Sequence, residues 1–139
     1  MLISSQQITI FANTWANGAT KAEAKNMGVK YNFGDITVGI NKKVYNPEAA
    51  TLIETTEKSM AAAYAVNKDL SVGLLYGKAE QAGGAGVVGA GVEQKIKAIN
   101  LGYNLGPVAL AAGYAKNTDA LGQTGADNDI FMIRLLGAF

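Results

Sequence analysis

Apolar side chains recur at every second position in short segments along most of this chain. In the segment 26–33, Met27, Val29, Tyr31 and Phe33 alternate with polar or small residues. Alternation with this period is typical of a β-strand that has one apolar face. The pattern therefore predicts an all-β chain. The expected strands lie near residues 6–12, 25–33, 36–45, 58–66, 70–77, 96–104, 108–116 and 129–139.

The connections between the expected strands alternate between short and long. Gly34-Asp35 is a short connection, and its glycine suits a tight hairpin that needs positive φ. The segments 46–57 and 78–94 are long connections. Outer-membrane barrels have short turns at one end and longer loops at the other. We therefore expect residues 1–139 to form a single segment of an antiparallel up-and-down transmembrane β-barrel.

Aromatic residues fall towards both ends of the apolar face. Membrane barrels carry aromatic girdles at both interfaces with water, so these residues are the expected membrane-interface girdle. Those near the short connections are Tyr31, Phe33, Tyr64, Tyr103 and Phe139. Those near the long connections are Tyr76, Tyr114 and Phe131.

The other face of the expected strands consists largely of small residues, such as Ala61, Gly73 and Ala111. A closed eight-stranded barrel has an interior that side chains just fill, and small residues would leave it underfilled. The pattern therefore favours part of a larger barrel around a water-filled lumen. The alternative, a complete eight-stranded barrel, would need larger residues such as Leu75 and Met132 to fill its interior.

Several polar and cationic residues share this second face and are the expected pore-lining residues. They are Lys30, Asn32, Asn41, Lys43, Asn100 and Arg134. No acidic residue falls on this face within the expected strands. Because charged side chains that line a pore tune its ion selectivity, we expect a mild preference for anions. The alternative is that these cations only solvate the wall of the lumen.

The composition argues against catalysis. The chain has no histidine and no cysteine, which excludes histidine acid–base chemistry, cysteine nucleophiles, thiolate metal sites and disulfides. Its formal net charge of +1 does not provide the basic face that nucleic acids recruit. We expect no enzyme activity, no cofactor, no metal site and no nucleic-acid partner.

Three local features could suggest other roles, and each has a simpler interpretation. The segment 84–89 matches G-x-G-x-x-G, but a strand rather than a helix is expected next, so a surface loop is favoured over a dinucleotide site. Asp127 and Asp129 are interpreted as solvated loop charges, because a hard-cation site needs six or more oxygens. Trp15 is interpreted as a loop residue or an interface anchor.

Three hairpin segments resemble the Gram-negative general porins, the trimeric porins of the outer membrane. They are GVKYNFGDITVGI, AAYAVNKDLSVGLLYG and LGYNLGPVALAAGYAKN. The terminal aromatic residue adds to the likeness, which covers residues 25–139 and corresponds to the C-terminal half of such a porin. The resemblance implies a homotrimer of sixteen-stranded barrels in the bacterial outer membrane that passes small hydrophilic solutes and ions.

The resemblance also implies partners. The alternate residues Phe131, Ile133, Leu135 and Phe139 match the family's signal to the barrel-assembly machinery, although Gly137 departs from the apolar residue often found there. Outer-membrane lipid and lipopolysaccharide are the other expected partners. Lysines near the long connections fall on the apolar face, where lipopolysaccharide phosphates could contact them unless a β-bulge turns them inward. These lysines are Lys42, Lys95, Lys97 and Lys116.

The start of the chain lacks the basic and apolar regions of a signal peptide. We therefore expect a mature form or a part of a longer reading frame, with further strands before Met1. Two other interpretations stay open: a small eight-stranded structural or adhesive outer-membrane protein, and a soluble secreted β-sandwich.

Overall fold

The structure, a computed structural model, describes residues 7–16, 22–46, 54–81, 92–120 and 123–137. These residues form eight strands, each of 10 to 12 residues. The strands are β1 (Gln7–Ala16), β2 (Glu23–Phe33), β3 (Ile36–Asn46), β4 (Thr55–Ala65), β5 (Leu70–Gln81), β6 (Glu93–Asn104), β7 (Val108–Thr118) and β8 (Asn128–Gly137).

The eight strands form one antiparallel sheet in the order of the chain, from β1 to β8. Each strand pairs with its neighbours in sequence, so the expected all-β, up-and-down arrangement is confirmed. The sheet is open, and β1 and β8 form its two edges with no ladder between them in the described residues. In that part of the chain, no helix is long and apolar enough to cross a membrane.

The pairing register separates the side chains of the sheet into two faces. Val29 lies opposite Ile40, and Ile40 lies opposite Met60. We call the face that contains these residues the apolar face. The adjacent residues Lys30 and Gly39 pair on the other side of the sheet, which we call the polar face. The alternation of the sequence is therefore preserved across all seven pairs of strands.

Neither face is covered by a second layer. Among the described residues, Ala22 and Ala120 are the buried hydrophobic residues, whereas Ile10 is 75% exposed and Leu135 is 70% exposed. A sheet gains stability by burying an apolar face against another layer. The described residues contain no such layer, so the apolar face needs a covering that this part of the chain does not provide.

The short connections are tight turns with local hydrogen bonds. Gly34 has a φ of 57°, a left-handed conformation that costs a glycine little, as the sequence predicted for this hairpin. In the turn between β4 and β5, the Oδ1 atom of Asn67 accepts hydrogen bonds of 2.9 Å from the backbone N–H groups of Asp69 and Leu70. These contacts fix the hairpins at one end of the sheet.

The polar face is crowded where the backbones of β2 and β3 meet. A Cβ atom added to Gly28 would overlap the ring of Phe11 and lie 2.7 Å from the carbonyl oxygen of Ile40. On the apolar face, the neighbouring side chains Met27 and Val29 are exposed. The crowding is therefore specific to the polar side of this strand pair.

Several strands extend further towards the long connections than the sequence predicted. The structure has β1 ending at Ala16 rather than near residue 12, and β5 ending at Gln81 rather than near residue 77. It also has β4 starting at Thr55 and β6 starting at Glu93, three residues before the expected starts. In β4, β5 and β6, charged residues interrupt the apolar alternation there, but the backbone ladder continues through them because it needs no apolar side chain.

Candidate functional site

All six expected pore-lining residues lie on the polar face of the sheet. Lys30, Asn41 and Asn100 border one open hollow of about 420 Å³, together with Phe11 and Ser59. The other three residues lie outside this hollow, at different places on the same face. They are Asn32 opposite Thr37, Lys43 opposite Glu57, and Arg134 opposite Ala111.

An acidic residue also lies on the polar face, which corrects the expectation that no strand acid would be found there. Because β4 begins at Thr55, Glu57 belongs to the strand and pairs with Lys43. The Nζ atom of Lys43 lies 3.6 Å from an oxygen of the Glu57 carboxylate. Glu57 therefore offsets one of the three cations expected on this face.

Polar groups on this face are satisfied only in part by the protein. The hydroxyl of Thr37 donates a hydrogen bond of 3.0 Å to the Oδ1 atom of Asn32. By contrast, the side-chain oxygens of Asn26 and Asn41 are enclosed and accept no hydrogen bond from the described residues. Polar atoms of this kind normally find a partner, and water is the usual one.

The expected girdle residues in the described ranges all lie on the apolar face. The pairings that fix this placement join Tyr31 to Val38, Phe33 to Ile36, Tyr64 to Val72, Tyr76 to Lys97, Tyr103 to Leu110 and Tyr114 to Phe131. Phe139 lies outside the described residues.

Trp15 does not lie in a loop, contrary to the expectation from the sequence. It belongs to β1 and pairs with Ala24 on the polar face, as Phe11 pairs with Gly28 on the same face. The alternation of β1 was hidden because Phe11 and Trp15 place large aromatic rings on the face that carries mostly small or polar residues in the other strands.

The proposed assembly-signal residues that the structure describes follow one line along the edge strand β8. Phe131, Ile133 and Leu135 lie on the apolar face, with exposures of 69%, 62% and 70%. Gly137 continues the same line, and Phe139 falls outside the described residues. These side chains are accessible along the free edge of the sheet.

Lysines form a row across the apolar face near the long connections. Lys42 lies opposite Lys58, Lys58 opposite Lys78, and Lys78 opposite Lys95. We call these four residues the lysine row. From the sequence, only Lys42 and Lys95 of this row were placed on the apolar face. Lys58 and Lys78 fell at or beyond the ends of the expected strands.

Glu93 is the acid nearest to one end of the lysine row, at the first residue of β6. Its carboxylate lies 2.9 Å from the Nζ atom of Lys78 and 3.2 Å from that of Lys95. Glu93 therefore pairs with two of the four lysines of the row. Among the described residues, Lys42 and Lys58 have no such ion pair.

Two weak candidates from the sequence gain no further support. The G-x-G-x-x-G segment, 84–89, lies outside the described residues. Asp127 accepts a hydrogen bond of 3.2 Å from the backbone N–H of Asp119, and no group of three or more potential metal ligands occurs in the described part of the chain.

Comparison of the chain with protein-family models, with curated proteins and with solved structures gives no match.

Proposed function

We propose that this chain is part of an outer-membrane porin, through which small hydrophilic solutes and ions diffuse passively. One observation underlies the proposal: an apolar face that continues across eight strands with no layer of the described protein to cover it. Exposed apolar surfaces of this extent mark membrane or protein contacts. Lipid is the covering that fits an apolar face flanked by aromatic residues.

Strand length supports a membrane location. The strands contain 10 to 12 residues, and a tilted transmembrane β-strand needs about 9–11 residues. The backbone also meets the requirement of a bilayer, because every inner strand of the sheet is paired on both sides. Only the two edges need further partners.

The tilt of barrel strands accounts for the position of the aromatic residues. Tyr31 on β2 and Phe131 on β8 lie in one cross-strand row, which passes through Val38, Ala62, Leu74, Ile99 and Tyr114. Six strand spacings at a tilt near 40° displace such a row by about 18 Å along the barrel axis. That displacement covers most of the apolar band of about 25 Å, so it would move Tyr31 and Phe131 towards opposite interfaces.

The polar face has the properties of a wet lumen wall. Its centre is lined by small residues such as Ala61 and Gly73, and its polar groups include the unpartnered oxygens of Asn26 and Asn41. Water would satisfy these oxygens, whereas an apolar filling would leave them without partners.

The open sheet supports a wider barrel than eight strands alone would make. A closed barrel has no free edges, whereas β1 and β8 are both free in the described residues. We propose that further strands complete a barrel of about sixteen, and that three such barrels associate in the bacterial outer membrane. The barrel-assembly machinery, outer-membrane lipid and lipopolysaccharide are its proposed partners.

Conductance across a planar lipid bilayer tests this function. We expect open-channel currents with a mild anion preference. Lys43 and Glu57 offset each other's charge on the polar face, so the positive charges of Lys30 and Arg134 remain. Lys30→Gln should move the reversal potential in a salt gradient towards cation selectivity. Lys25→Gln, which removes the same charge from the apolar face, should leave the reversal potential unchanged. Absence of channels, or strong cation selectivity of the unmodified protein, would contradict the proposal.

A further inference from the structure

We propose that the apolar face across β3–β6 contains a binding site for a lipid whose head group bears at least two phosphates. The site combines the lysine row with an apolar groove directly beside it. This inference rests on the proposed membrane location, because it places the acyl chains of the ligand in the bilayer.

The lysine row is electrostatically unfavourable without anions. Three directly opposed pairs of like charge join Lys42, Lys58, Lys78 and Lys95, and such pairs destabilise a sheet. One row closer to the centre of the face, Lys97 lies opposite Lys116 and forms another like pair. Anions bound from outside would convert this repulsion into attraction.

The acids of the same face neutralise only one side of the site. Glu93 contacts Lys78 and Lys95, Glu80 lies opposite Glu93, and Asp129 lies opposite Lys116. These acids lie on β5, β6 and β8, and Glu23 on β2 forms its ion pair with Lys25. On β3 and β4, Lys42 and Lys58 are exposed, and no described acid forms an ion pair with them.

An apolar groove lies below the lysines on the same face. It is open, has a volume of about 810 Å³, and is bordered by Val38, Ile40, Met60, Ala62 and Leu74. The groove exists because Ala62 places a small side chain between Val38 and Leu74, its partners on the two flanking strands. Acyl chains would cover these otherwise exposed surfaces.

A second hollow joins the groove to the lysine row. It has a volume of about 330 Å³ and is bordered by Lys58 and Lys78. Ile40, Met60 and Tyr76 border both this hollow and the larger groove. A continuous surface therefore passes from apolar to cationic, which matches the shape of an amphiphile with an anionic head.

The width of the lysine row indicates more than one phosphate. Four adjacent strands span about 14 Å from the first to the last, whereas a single phosphate contacts one or two ammonium groups at hydrogen-bond distance. In a head group with two phosphates, one phosphate could contact Lys42 and Lys58. The other phosphate could occupy the hollow between Lys58 and Lys78.

Binding of a bisphosphorylated lipid by the full protein in detergent, followed by native mass spectrometry, tests the site. The double variant Lys42→Gln/Lys58→Gln should bind this lipid about tenfold or more weakly, since each lysine near a lipid surface contributes about 1 kcal/mol. The control variant Lys30→Gln/Lys68→Gln removes the same charge from the polar face and from a turn, and should bind normally. Equal losses in the two variants would overturn the site.

The choice of ligand separates a lipid from a free anion. The same lipid lacking one phosphate should bind more weakly than the bisphosphorylated form, and inorganic phosphate should not displace the lipid at equal concentration. Equal binding of the two lipids, or displacement by inorganic phosphate, would contradict the proposal.

The groove has its own test. Ala62→Phe fills the groove with an apolar ring and leaves the lysines in place, so it should weaken binding of the long-chain lipid. Unchanged binding would overturn the role of the groove.

Channel conductance of the lysine double variant keeps this inference separate from the proposed function. Intact channels with unchanged lipid binding would refute the site alone, whereas absence of channels in the unmodified protein would refute the function.

Discussion

We expect Ala62→Arg to destabilise the protein in lipid vesicles by about 2–4 kcal/mol, the cost of an arginine near the bilayer midplane on the lipid-facing side of a barrel. Ala62 lies on the apolar face between Val38 and Leu74. The aromatic residues Tyr64 and Tyr76 lie one row to either side of it. Urea unfolding of the vesicle-bound protein measures the change.

Ala61→Arg is the matched control, since it makes the same substitution at the adjacent residue of β4. Ala61 lies on the polar face between Gly39 and Leu75, where the added charge would stay in water. We expect little loss of stability and a stronger anion preference of the channel. A cost for Ala61→Arg as large as that for Ala62→Arg would show that the two faces do not meet different solvents.

We expect Gly28→Ala to lower the free energy of unfolding by about 1–3 kcal/mol, as overpacking commonly does. The added methyl group would lie 2.7 Å from the carbonyl oxygen of Ile40 and would overlap the ring of Phe11. Phe11 can rotate away, but the carbonyl belongs to the backbone of the adjacent strand. The ladder between β2 and β3 must therefore shift.

Gly39→Ala provides the comparison for this substitution. Gly39 lies on the same face of β3, and a Cβ atom there would meet its nearest neighbour, the carbonyl oxygen of Val29, at 3.6 Å. That distance is an ordinary contact, so we expect a change close to zero or a slight gain from reduced freedom of the unfolded chain. Equal destabilisation by the two substitutions would mean that general strand effects, rather than crowding, explain the result.

The number, order and sidedness of the strands could be predicted from the sequence. Alternation with period two assigns each side chain to a face, and a shift of one residue would reverse every assignment. The register of the structure agrees for residues as far apart as Tyr31, Tyr76 and Phe131, and for Lys30 and Arg134 on the other face.

The ends of the strands near the long connections could not be predicted in the same way. Lys78 and Glu80 follow the apolar part of β5, and Glu93 and Lys95 precede that of β6, so the alternation of apolar residues stops before the strands do. Ladder hydrogen bonds depend on the backbone, which is why the strands continue through these charged residues.

The lysine row and the Lys43–Glu57 ion pair depend on contacts between strands. Each lysine of the row is unremarkable in its own segment, and its opposite partner is known only when the register is known. The same holds for Glu57, which looked like a loop residue until β4 was seen to begin at Thr55.

The central claim is that the two faces of the sheet meet lipid and water, and single-cysteine labelling of β4 tests it most directly. The chain has no cysteine, so Ala61→Cys and Ala62→Cys each introduce a unique thiol on opposite faces. In lipid vesicles, we expect a water-soluble thiol reagent to label residue 61 and not residue 62. We also expect lipid-borne quenchers to reach a fluorophore at residue 62 and not one at residue 61. Equal labelling by the aqueous reagent at both residues, with no quenching by lipid at either, would contradict the account.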